Sequence, residues 1–238
     1  MRLILDNSAT SFLALALVLV SSPLPASAAN NQPWLNISTA YYVDSREFGT
    51  AAIGLSSNAL PAGFSFWGFS DFLGDQKSNN AHVTHSFSEY RLSHSGLGKW
   101  FGVKGLGLQL ENDIISGRSN DVIRAGVIYK HDLPLPWLAG RSRQGWLQWR
   151  YFPYQDTNTG SQASLIFNLP ITDRMGITGF ADYNVREGAA NRWVAEPELS
   201  YRVTNKLFTL IEYRYNQFES ANPALDGSAV ALGIRYQF

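Results

Sequence analysis

Over the last residues of the chain, Ser228, Val230, Leu232, Ile234, Tyr236 and Phe238 alternate with Ala229, Ala231, Gly233, Arg235 and Gln237. A period of two marks a strand whose two faces meet different surroundings. One face is large and apolar and ends in aromatics, while the other is small or polar. Upstream the design recurs. Leu207, Ile211, Tyr213 and Tyr215 oppose Glu212, Arg214 and Asn216, and Trp193, Ala195, Leu199 and Tyr201 oppose Glu196, Glu198, Ser200 and Arg202. Ile177, Ala181, Tyr183 and Val185 oppose Thr178, Asp182 and Asn184, and Leu165, Phe167 and Leu169 oppose Ser164 and Asn168. Leu147, Trp149 and Tyr151 oppose Gln148 and Arg150; Ile123, Ala125, Val127 and Tyr129 oppose Arg124, Gly126 and Lys130; Leu106, Leu108 and Leu110 oppose Gln109 and Glu111.

Further strands fall near 34–43, 48–56, 63–73 and 83–94, for a total of about twelve; ten stays open because 64–73 is aromatic on both faces. Bacterial barrels carry an even number. A face this greasy suits lipid better than water, so the expectation is an all-β, antiparallel, up-and-down transmembrane barrel. Short polar turns at Pro170–Asp173 and Val203–Lys206 alternate with longer connectors at 154–160, 186–191 and 218–227, which puts both termini in the periplasm. Ser95–Lys104 and Asp132–Arg143 are longer than that rule asks, and Trp100, Phe101, Pro134, Pro136 and Trp137 mark them as interfacial or lumen-plugging turns. Pro197 removes a ladder donor from a strand and predicts a bulge there.

Composition narrows the setting. Residues 1–28 have the form of a secretory signal, with Arg2, the apolar run Phe12–Val20 and a small-residue cleavage site ending at Ala28, leaving 29–238 as one barrel domain. The apolar run is too short to cross a bilayer as a helix. Nineteen basic residues balance nineteen acidic ones, so no overall field draws nucleic acid. There is no cysteine, and hydrogen bonds and packing alone must close the fold. The expected location is the outer membrane of a Gram-negative-type bacterium.

With the apolar face in lipid, the other face lines a lumen. Its expected pore-lining residues are Glu89, Arg91, Glu111, Arg124, Arg150, Asp182, Glu196, Glu198, Glu212, Arg214 and Arg235. Charges in a narrow lumen must be paired, so they either form a structural lattice or shape a constriction that selects solutes by charge and hydrogen bonding. Trp67, Trp100, Trp137, Trp149 and Trp193, with Tyr41, Tyr42, Tyr151, Tyr201, Tyr213, Tyr215 and Tyr236, are expected mostly in aromatic girdles, whereas Trp146, Phe152 and Phe180 fall on the lumen side. His82, His85, His94 and His131, with Ser86, Ser95 and Glu89, are the candidates for an acyl-transfer hydrolase. His85 and Glu89 are about 13 Å apart along a strand, however, and His94 and Ser95 point to opposite faces. No cofactor or metal site is expected.

The C-terminal strand Gly233–Phe238 and the run Ser164–Asp173, with its Phe-x-x-Pro-Ile-Thr-Asp hairpin at Phe167–Asp173, resemble the nucleoside-specific channel-forming, or Tsx-like, outer-membrane family. The stretch Tyr129–Pro136 is similar in placement to that family's Asp-x-Gly-Leu-Pro connection. The resemblance covers 120–238 and implies a twelve-stranded monomeric barrel with a narrow lumen that passes nucleosides by diffusion. The chain departs from the family in its shorter length and its N-terminal half, where the family's base-binding aromatics have no counterpart, so no binding residue is carried over. The expected activity is passive passage of small polar solutes, nucleosides among them, without catalysis. The alternatives are a non-conducting barrel that binds or adheres through loops such as 73–81 and 218–227, and, behind it, the lipid-modifying hydrolase. Expected partners are the solutes, outer-membrane lipid and lipopolysaccharide, and the barrel assembly machinery, reached through the strand ending at Phe238.

Overall fold

The computed structural model describes residues 34–76, 82–116, 121–135, 144–156, 160–218 and 226–238. The proposed signal, Pro136, Trp137 and most of the two candidate adhesion loops lie outside them. Twelve strands form: β1 (Asn36–Asp44), β2 (Phe48–Ser57), β3 (Phe64–Asp75), β4 (Val83–His94), β5 (Leu106–Ile115), β6 (Val122–Leu133), β7 (Gly145–Gln155), β8 (Gly160–Pro170), β9 (Met175–Arg186), β10 (Arg192–Arg202), β11 (Leu207–Asn216) and β12 (Gly227–Gln237). Each pairs antiparallel with its sequence neighbour, and β12 returns to β1 to close a barrel. Strands of 9 to 12 residues match what a tilted strand needs to cross hydrocarbon.

The alternation read from the sequence becomes an inside and an outside. Contacts between strands that are not neighbours show which face is inner: the Tyr42 hydroxyl of β1 donates to Glu198 of β10 at 2.8 Å, and Arg214 of β11 donates to Thr50 of β2 at 3.2 Å. Such bonds can span only the barrel interior. Their outward neighbours are bare, with Tyr213 44% and Ile234 56% exposed, against 6% for Glu198. The outer aromatics Tyr41, Tyr183, Trp193, Tyr213 and Tyr215 gather toward one end of the strands, and Tyr129, Tyr201 and Tyr236 toward the other.

The outer wall carries a polar patch on β3 and β4. Ser70 and Ser88 share a hydrogen bond of 2.9 Å, and the Ser70 and Tyr90 hydroxyls are 3.0 Å apart, so these groups satisfy one another where lipid offers no partner.

Several details differ from the sequence reading. Trp67 and Tyr42, expected in the girdles, face inward, because Trp67 pairs with Arg91 and Tyr42 with Thr50 on the lumen side. No bulge forms at Pro197. The register is the same on either side of it, Ala195 against Tyr215 and Glu198 against Glu212, with no residue inserted. Across the other seam Pro197 meets Gly179, whose φ of 154° and missing side chain leave the ring room; a Cβ there would come within 2.7 Å of the Pro197 Cα.

The register shifts lie elsewhere. One falls between Leu73 and Gly74. The other falls between Ala125 and Val127, where Phe152 and Pro153 together oppose Gly126. Of the two long turns, 95–105 carries a short helix, α1 (Gly96–Phe101), whose Trp100 is 84% exposed and so does not plug the lumen.

Because the outer face is mostly apolar, Leu232→Arg at the middle of β12 should cost about 2–4 kcal/mol of unfolding free energy in lipid vesicles, while Ile37→Arg at the end of β1 should cost roughly 0–1. Equal costs at the two positions, measured by denaturant titration, would contradict a depth-dependent lipid face.

Candidate functional site in the lumen

All the residues expected to line the pore lie on the inner face, and the strand order brings them into two lattices on opposing walls. In the first, Glu111 of β5 is the hub. It accepts from Arg91 at 3.1 Å, Arg124 at 3.0 Å, Arg150 at 3.3 Å and Gln109 at 3.2 Å. Arg91 also pairs with Glu89, and Arg124 also binds Asp113 at 2.5 Å and Gln155 at 3.2 Å. Their period-two placement on adjacent strands sets Arg91 beside Glu111 and Glu111 beside Arg124, the cross-strand geometry in which opposite charges attract.

The second lattice spans β1, β2 and β10–β12. Arg214 reaches Glu212 at 2.5 Å and Asp44 at 3.3 Å, and Arg46 from the β1–β2 turn closes on Asp44 at 2.7 Å. Arg235 binds Glu198 at 3.0 Å on the oxygen that Tyr42 leaves free. Beneath it the inner wall is apolar: Tyr42, Phe208, Leu210 and Ala231 form a buried cluster, and Arg235 lies over the Phe208 ring at 5.4 Å. Asp182 and Glu196 are inner but belong to neither lattice by ion pairing among the described residues, and both stay partly exposed.

Sequence reasoning missed four members. Asp44, Asp71 and Asp113 are all inner. Asp71 hides in a run whose two faces are both aromatic, and Asp113 follows another polar residue, Asn112, so neither shows by alternation. The fourth is an aromatic row on β3 and β4: Trp67 and Phe69 lie 5.3 Å apart by ring centroid and Phe69 and Phe87 5.6 Å, with Arg91 over Trp67 at 4.2 Å. Of the stacking candidates, Phe152 is fully buried and has no face to offer, while Trp146 sits under Lys130 at 4.0 Å.

The other chemistries find little support. His85 is inner and Ser86 outer, and the Glu89 carboxylate is taken by Arg91 rather than by His85. His94 faces outward, with its Nε2 3.0 Å from the Ala62 carbonyl. Glu89, Glu111 and Asp113 converge closely enough to hold a metal ion, but Arg91, Arg124 and Arg150 already counter their charge. An apolar recess of about 620 Å³ between Leu92, Leu108, Ala125, Tyr151 and Pro153 lies on the outer wall beside the β6–β7 bulge, away from the lumen.

The fold has solved counterparts. The chain is similar to the KdgM porin, with 12% sequence identity and a TM-score of 0.50 over 85% of this chain and 99% of that one; the KdgM porin has also been solved in complex with disordered oligogalacturonate. It is similar to the NanC porin as well, at 8% identity and a TM-score of 0.56 over 85% of this chain and 100% of that one. At such identities the likeness is one of fold. No family model and no curated protein sequence matches the chain.

Glu111 neutralises three buried arginines, so Glu111→Gln should destabilise the barrel by about 3–5 kcal/mol, the cost of stranding buried charge. Denaturant unfolding read by tryptophan fluorescence checks this, with exposed Glu187→Gln as the reference. Equal midpoints for the two variants would mean that the lattice does not hold the wall.

Proposed function

We propose that the chain is an outer-membrane channel through which small polar solutes diffuse, without catalysis. The observation that carries this reading is the inverted distribution of side chains: apolar groups sheathe the outside, and charged and amide groups crowd an interior that spans the whole barrel. Twelve strands fall between eight-stranded barrels, which side chains fill, and sixteen-stranded ones, which leave a wide aqueous channel. The likeness to porins of the same fold supports it. Glu89, Arg91, Glu111, Arg124, Arg150, Asp182, Glu196, Glu198, Glu212, Arg214 and Arg235 set the bore in this reading, the paired ones by fixing the walls and the partly exposed ones by meeting solute. Solutes exchange hydration for weak contacts with these groups and leave as readily as they enter.

Residues 1–28 serve as the export signal, the strand ending at Phe238 as the segment read by the barrel assembly machinery, and the apolar outer wall contacts lipid and lipopolysaccharide. Nucleosides fit the size class, with Phe69, Phe87 and Phe180 as the inner aromatic faces on which a base would rest. A non-conducting barrel is favoured by one observation, the depth to which the two lattices are buried, and the same experiment separates the two readings.

Purified, refolded protein added to a planar bilayer should give discrete conductance steps, and Arg150→Ala or Glu212→Ala should change their size. Electrical silence from a barrel shown to be folded by its heat-modifiable migration would select the non-conducting reading. Adenosine added to one side should reduce the open-channel current if nucleosides are among the solutes.

A further inference from the structure

The arginines at the waist of the barrel are committed, and three of its acids are not. Arg91 is held by Glu89 and Glu111, Arg124 by Glu111 and Asp113, Arg150 by Glu111, Arg214 by Glu212 and Asp44, and Arg235 by Glu198. Asp71, Asp182 and Glu196 have no ion pair among the described residues, though Asp182 accepts a hydrogen bond from Ser164. All three lie on the inner face and keep part of their surface open. Glu196 of β10 has Asp71 of β3, Asp182 of β9 and Glu212 of β11 as acidic neighbours, so carboxylates from both sides of the lumen face a common space. Arg214 is the base near Asp71 and Glu196, and its Nε and one NH group are already bound to Glu212, Asp44 and Thr50. Arg91 and Arg150 likewise lie near Asp182 without an ion pair to it. Carboxylates with no bonded cation, where they are ionised, focus a negative potential along the passage.

A second, independent feature lies beside them. On the inner face of β3 and β4, Trp67, Phe69 and Phe87 form a continuous aromatic row, and Phe87 is the direct cross-strand partner of Asp71. Aromatic faces attract cations. Arg91 already uses Trp67 in this way at 4.2 Å, while Phe69 and Phe87 have no protein cation over them among the described residues. A solute moving along the row would thus meet ring faces and then a carboxylate that no arginine has neutralised. Phosphates and uronates, being anionic, would meet the same charge as repulsion.

Resting on the channel reading above, we propose that the waist selects cations, and that Asp71 and Glu196 together with the rings of Phe69 and Phe87 receive organic ammonium ions. The oligogalacturonate held by the KdgM porin is a polyanion and would be disfavoured here.

The test is electrical. In a planar bilayer under a KCl gradient at about pH 9, where clustered carboxylates are ionised, the zero-current potential should have the sign of potassium preference, and spermidine should block the open channel. The double variant Asp71→Asn, Glu196→Gln keeps side-chain shape and should move the zero-current potential toward zero and weaken spermidine block by about tenfold or more. Phe69→Leu with Phe87→Leu should weaken spermidine block while the preference for potassium persists. Chloride preference, or a potential that the acidic variants do not move, overturns the cation reading even though the channel conducts. Spermidine block untouched by the aromatic variants overturns the ammonium site. A folded barrel that never conducts removes the channel reading itself, and this inference with it. Heat-modifiable migration on gels confirms that each variant is folded before its currents are read.

Discussion

Hydrocarbon offers no hydrogen-bond partner to a peptide group, and the structure is organised around that constraint. An open twelve-stranded sheet would present two bare edges; pairing β12 with β1 from Ser38 against Gln237 to Asp44 against Ala231 removes both. Closure then forces every other feature. A closed sheet has only an inside and an outside, so period-two alternation must sort side chains between them. Polar groups caught on the wrong side must find each other, as Ser70, Ser88 and Tyr90 do.

Sorting by face concentrates charge. The chain as a whole is neutral, yet most of the charges on its strands point into one narrow volume, where desolvation would be costly if they stood alone. The answer is two hubs rather than isolated pairs. Glu111 serves three arginines on one wall, while on the other Arg214 and Arg235 divide Glu212, Asp44 and Glu198 between them. Hubs of this kind brace opposite walls and leave the inner face at Asp71 on one side, and at Asp182 and Glu196 on the other, not locked by ion pairs among the described residues.

Much of this was legible in the sequence because a strand writes its two environments at alternate positions. From Leu106 to Phe238 the strands and their faces could be read directly, and the inner placement of Arg150, Glu198, Arg214 and the other named charges follows from parity alone. What could not be read is anything that depends on pairing between distant strands: that Tyr42 meets Glu198, or that Arg214 meets Asp44, since parity fixes a face and not a height. Parity also fails where both faces are alike. The run Phe64–Leu73 carries aromatics on both faces, which concealed Asp71 and sent Trp67 to the wrong side. Proline misled for another reason: Pro197 is absorbed by the bare backbone of Gly179 across the seam, whereas Pro153 stands at an extra residue opposite Gly126.

The seam at Pro197 also bears on how the wall behaves. Pro197 has no N–H to give β11, and the pairing of β10 with β11 skips from Ala195 to Glu198, so this stretch is held mainly by its pairing with β9. Glu196 therefore sits where the wall has fewer cross-strand bonds, across the lumen from the one that ion pairs brace at Glu111.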